Sequence, residues 1–66
     1  MNIVAGYRKM ISMTQAEMAK HLNISEVTYR NKEKGRVPFK DFEMEIFYML
    51  LKQIKPSVSI TDIFFT

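Results

Sequence analysis

The stretch from Thr14 to Gly35 constrains the fold of this chain more than any other. It opens with Thr14-Gln15-Ala16-Glu17, a capping box in which the threonine hydroxyl takes a free helix amide and the glutamate reaches back. Met18, Ala19 and Leu22 follow at helical spacing and form a buried face. Asn23 suits a left-handed turn residue, though at a higher cost than glycine. Ile24 is placed to plug the core beneath the turn. Ser25 caps a second helix, and Gly35 ends it. The stretch therefore predicts two short helices joined by a tight turn. Ala19 stands where the two cross, and a larger side chain there would push them apart.

The remaining residues read as a scaffold for this unit. Residues 2–11 predict a first helix with Ile3, Val4, Tyr7 and Met10 or Ile11 on one side; Ser12 and Met13 connect it to the second. Arg36-Val37-Pro38-Phe39 is a short loop, and a fourth helix runs from about Lys40 to Ile54. Lys40 cannot cap that helix, but Asp41 and Glu43 suit the positive end of its dipole. Pro56 enforces its end. Ser59-Ile60-Thr61-Asp62 is a second capping-box pattern opening a last short turn with Ile63, Phe64 and Phe65. The expectation is an all-α fold in one domain spanning residues 1–66, with the two-helix unit at 14–35 and its support at 40–66.

Sixty-six residues bury only a modest core. No cysteine is present, so packing or association with a second chain must hold the fold. The apolar share of 47% supports folding and argues against disorder along the whole length. No apolar run approaches the roughly 18 residues of a membrane span. The apolar run Met1 to Gly6 is followed, not preceded, by Arg8 and Lys9, the wrong order for a signal peptide. A cytoplasmic protein is expected.

Charge is segregated. Residues 1–40 hold eight Lys or Arg against three acids, whereas residues 41–66 hold two Lys against four acids. Within the third helix, Val27, Arg30, Asn31 and Lys34 share one face at helical spacing. Tyr29 and the stem of Lys32 fall on the opposite side, toward the core. Glu26 and Thr28 lie near the helix N-terminus. This is the layout of a helix-turn-helix, whose second helix enters the DNA major groove. The chemistry suits base reading: Asn bonds adenine, Arg or Lys guanine, Glu the cytosine amino group, and Val a thymine methyl. Thr14, Gln15, Lys20, Ser25, Arg36 and Lys40 are candidates for phosphate contacts.

Blander readings exist for each. Glu26 also complements the helix dipole, Val27 also packs against a neighbour, Arg30 and Lys34 also suit plain solvent exposure, and Gln15 is also a good helix former. A lone His21 without cysteine makes a metal site improbable, and the six Met suit core filling. No nucleophile–base pair and no phosphate loop is present, so no enzyme, cofactor or small-molecule ligand is expected. Helix four carries more apolar surface than one core-facing stripe requires. Phe47, Leu51, Ile54, Phe64 and Phe65 are therefore candidates for a homodimer contact.

From Gln15 to Gly35, with Arg8 upstream and Val58-Ser59-Ile60-Thr61-Asp62-Ile63-Phe64-Phe65 downstream, the chain resembles the phage Cro/CI-repressor type of helix-turn-helix regulator, the XRE family. The resemblance covers nearly the whole chain and implies a bundle of five short helices. It implies Gln15 as a phosphate clamp, Glu26, Val27 and Asn31 as base readers with Thr28, Arg30 and Lys34 beside them, and a structural salt bridge between Arg8 and Glu33. Ser12 and Asn23 depart from the family where glycine is common, Lys32 where an aliphatic is common, and Lys40 where Ser or Thr caps. The function implied is a Cro-like repressor binding double-stranded operator DNA as a dimer on an inverted repeat. The alternative is a protein-interaction module of the same fold that acts on a separate repressor or neutralises a toxin.

Overall fold

Four of the five helices begin on a side chain that accepts one of their own free amides. The computed structural model describes residues 2–65, and among them are five α-helices and no strand: α1 (Ile3–Met10), α2 (Gln15–Leu22), α3 (Glu26–Glu33), α4 (Asp41–Lys52) and α5 (Ile60–Phe64). Asn2 caps α1, Thr14 caps α2, Ser25 caps α3 and Ser59 caps α5, with reciprocal capping boxes to Glu17 and Asp62 at α2 and α5. At α4 the Lys40 backbone amide donates instead to Glu43 Oε1 at 2.8 Å. α1 is one residue shorter at each end than the apolar spacing suggests, and α4 stops two residues before Ile54.

The first three helices end in the same way. Ser12, Asn23 and Gly35 adopt φ of 58°, 59° and 84°. After α1, the Ser12 and Met13 amides donate to the Lys9 and Arg8 carbonyls; after α2, those of Asn23 and Ile24 donate to Lys20 and Ala19; after α3, those of Gly35 and Arg36 donate to Lys32 and Asn31. Each is the pair of backbone bonds that closes a helix through a left-handed residue. Only the third uses glycine, so the chain turns twice at positions where a Cβ is strained.

The core is built from Met18, Ala19 and Leu22 of α2, Tyr29 of α3, Phe47 and Leu51 of α4, Val58, and Ile63 of α5. α2 packs on α3 and α4, while α5 packs on α4 and α1. A row of edge-to-face rings joins α3 to the C-terminus: Tyr29 to Phe39 at 6.1 Å, Phe39 to Phe64 at 5.1 Å and Phe64 to Phe47 at 5.5 Å. Such pairs add roughly 0.5–1.5 kcal/mol each beyond their burial. Val4 and Tyr7 of α1 and Ile11 just after it pack against this core, but Ile3 and Met10 of the expected apolar side are exposed. The residue of α1 that is buried is Arg8.

Two expectations are corrected by the packing. Phe47 and Leu51, candidates for a dimer contact, have no exposed surface, and Phe64 is half-buried among the rings; Ile54 and Phe65 remain exposed. Lys32 does not merely lay its stem on the core. Its ammonium is buried as well and meets Glu43 Oε1 at 2.5 Å, with both side chains almost without exposed surface. Glu43 is therefore more than a complement to the α4 dipole. One oxygen accepts from Lys32 and from the Lys40 amide, while the other has no partner among the described residues.

Breaking a buried pair leaves an uncompensated charge, so Lys32→Met should lower unfolding free energy by about 3–5 kcal/mol. The double variant Lys32→Met/Glu43→Leu should recover most of that loss, short of the roughly 1 kcal/mol of the lost cap. Urea unfolding of both proteins checks this, and equal destabilisation by the two would contradict it. Ser12→Gly relieves roughly 1–2 kcal/mol of left-handed strain against glycine's entropic cost of roughly 0.5–1 kcal/mol. A modest rise in melting temperature is expected.

Candidate nucleic-acid interface

The placement of α3 starts from Glu33, the last residue of that helix and 7% exposed. Its Oε2 accepts from Arg8 Nε at 2.8 Å and from the Tyr29 hydroxyl at 2.6 Å. Its Oε1 accepts from Gln15 Nε2 at 2.9 Å and, at 3.4 Å, from Arg8 Nη2. The Glu33 carbonyl accepts from Asn2 Nδ2 at 2.7 Å. Arg8 also donates from Nη1 to the Met13 carbonyl at 2.7 Å, which ties the link between α1 and α2 to the same point. Charged hydrogen bonds of this kind are the strong ones.

The electrostatics follow from that wiring. Burial alone would push the Glu33 carboxyl up, but hydrogen bonds from Arg8, Tyr29 and Gln15, with the Arg8 charge, hold it below the usual carboxylate value. The bond to Glu33 raises the Arg8 guanidinium further, against desolvation. Burial, then the bond to Glu33, raises the Tyr29 hydroxyl far above its ordinary value. Glu43 also lies below the usual value: burial opposes its charge, and Lys32 and the Lys40 amide more than offset it.

With Tyr29, Lys32 and Glu33 buried, the other side of α3 faces solvent. Val27 is 64% exposed, and Glu26, Arg30 and Lys34 are exposed with it; Thr28 and Asn31 are half-buried beside them. The structure thus brings together the six residues expected to read bases. Two of them are already paired: Arg30 Nη2 donates to Glu26 Oε2 at 2.5 Å, one turn earlier on the helix. Thr28 Oγ1 accepts from the Ser25 hydroxyl at 2.8 Å, and its amide donates to the same Ser25 oxygen.

The residues expected to hold phosphates divide into two groups. Lys20, Arg36 and Lys40 are exposed and form no salt bridge among the described residues. Thr14 and Ser25 spend their side chains on capping. Gln15 is half-buried and occupied at both ends, donating to Glu33 and accepting from Arg30 Nε at 3.1 Å. Among the described residues no cluster of three or more His, Cys, Asp or Glu could hold a metal, and no helix is long and apolar enough to cross a membrane.

Sequence reading missed Asn2 and Glu43. Asn2 carries the local signal of a cap before an apolar run. For Glu43 the signal was Lys32 itself: it lies three residues after Tyr29 on the inner side of α3, where a lysine requires a buried acceptor. No family model, curated protein or solved structure matches the chain.

Glu33 and Glu43 both have folded values below their unfolded ones, so their contribution is present above the unfolded carboxylate value of roughly 4.3 and is lost as pH falls through the folded values. The melting temperature should be level from pH 7 to about 5 and then decline. Glu33→Gln should lower stability at neutral pH by about 3 kcal/mol, because it leaves Arg8 buried without its counter-charge, and should flatten the acid decline. Thermal melts by circular dichroism across this range check it; a variant curve running parallel to the wild type below pH 5 would refute the assignment.

Proposed function

We propose that the protein is a sequence-specific DNA-binding regulator of transcription, in which α2 and α3 act as a helix-turn-helix and α3 enters the major groove. One observation carries this reading. The inner side of α3 is locked by the buried Arg8–Glu33 and Lys32–Glu43 pairs, and its outer side offers an apolar contact, an amide, the Lys34 cation and an Arg30 paired with Glu26, with exposed Lys20, Arg36 and Lys40 on neighbouring segments. Base recognition requires donors and acceptors held at fixed positions. Phosphate neutralisation requires unpaired cations nearby. In this reading Val27 is the residue for a thymine methyl and Asn31 for adenine, and the exposed Lys20, Arg36 and Lys40 supply the cations that form no salt bridge among the described residues.

A reader of this size spans one half-site. We propose that it acts as a two-fold dimer on an inverted repeat, with half-sites roughly 34 Å apart, and represses by occluding a promoter. The exposed apolar residues Phe42 and Met49 of α4, with Ile54 and Phe65, are candidates for that contact.

Selection from random duplex DNA at two salt concentrations tests the reading, with an enriched inverted repeat expected. Asn31→Ala should then cost about 1–3 kcal/mol of preference at one base pair in each half-site. Arg36→Ala should instead weaken binding to all sequences and lower the salt slope by about one per site. Weak binding without any enriched sequence would overturn the assignment and favour the protein-interaction reading.

A further inference from the structure

Glu26, Arg30 and Gln15 form one hydrogen-bonded chain rather than three separate contacts. Glu33 is buried and faces Gln15, so the Gln15 amide must turn its Nε2 inward to donate. Its Oε1 then has one direction left, and Arg30 Nε donates to it at 3.1 Å. Glu26 Oε2 takes the Arg30 Nη2 donor. Two acceptors on two different helices thus set the plane of a guanidinium that would otherwise turn freely in solvent. Nη1 has no acceptor among the described residues.

On the reading that α3 enters the major groove, we propose that Arg30 reads guanine and that Glu26 is a positioning residue that reads no base. With Nε and one Nη2 hydrogen committed, Nη1 and the second Nη2 hydrogen are the donor pair for the two acceptors of guanine, O6 and N7, and the fixed plane orients them. A Glu26 carboxylate that reached for a cytosine amino group would give up its partner and face the phosphates with its charge uncompensated. Paired with Arg30, it presents no net charge there. Gln15 completes the arrangement: through it, the buried Glu33 node sets the orientation of a side chain on the exposed face.

The test uses the whole protein as wild type, Arg30→Lys and Glu26→Gln. Both positions are solvent-exposed, with 46% and 43% of the side chain accessible, so the variants should fold; circular dichroism checks that they do. In selections from random duplex DNA, Arg30→Lys, which keeps the charge but not the planar pair of donors, should lose preference for one guanine per half-site by about 5-fold or more. Glu26→Gln should weaken preference at that same base pair and at no other. An altered preference at a different base pair in Glu26→Gln would show that Glu26 reads a base and overturn the proposal. So would an Arg30→Lys protein weakened equally on every sequence, the mark of a phosphate contact. A second measurement needs no DNA: nitrogen-15 relaxation of Arg30 Nε in the free protein should show an ordered side chain that loosens in Glu26→Gln. Equal mobility in the two overturns the positioning role even where a consensus exists. An ordered Arg30 in a wild type that enriches no sequence instead overturns DNA recognition, and the guanine contact with it.

Discussion

A carboxylate buried among three helices is the constraint on which this molecule depends. Taking an isolated carboxylate out of water is prohibitive unless its lone pairs are filled. Glu33 meets that condition only when Arg8, Gln15 and Tyr29 all converge on it, and those residues come from α1, α2 and α3. Apolar contacts tolerate sliding, whereas these donors do not. The short α1, whose Ile3 and Met10 remain in solvent, is fixed to the others by Arg8 and by the Asn2 bond to the Glu33 carbonyl as well as by the packing of Val4 and Tyr7.

The opposite flank of α3 repeats the device with reversed polarity. There the helix supplies the cation, Lys32, and α4 the carboxylate, Glu43. Helix α3 therefore has one ionic anchor toward α1 and α2 and another toward α4, with Tyr29 between them. Rotation of α3 about its axis would break both. That restraint fixes which residues face outward, so the chemistry of the exposed face depends on ion pairs buried behind it. The row of rings from Tyr29 through Phe39 and Phe64 to Phe47 closes the C-terminal segment over the same region.

How much of this was legible in the chain depended on the reach of each interaction. Capping at Thr14, Ser25 and Ser59, the left-handed turn at Asn23 and the stop at Gly35 were all readable, because each is settled by residues within about four positions. The outward face of α3 was readable from spacing alone. The Arg8–Glu33 pair entered only through a family resemblance, since nothing in spacing brings residues 25 apart together. Lys32 was seen as anomalous, yet its acceptor lies 11 residues on, in the next helix. The dimer candidates differ for a related reason: periodicity in α4 identifies apolar positions, but the packing of α2 and α5 on that helix selects among them, and Phe47 and Leu51 are buried.

The sequence by itself determined an all-helical chain of five short segments, where most of them start and stop, and a basic outer face on the third. Those features rest on local hydrogen bonds and on helical spacing, which neighbouring residues dictate. Only the tertiary structure decided which charges are consumed in the interior and which remain for a partner. It paired Lys32 with Glu43, filled both ends of the Gln15 amide, and tied Arg30 to Glu26 at the edge of that network. The physical reason is desolvation. A charged side chain has the same sequence signature in water and in a core, and its role is settled when packing either removes its water or leaves it in place.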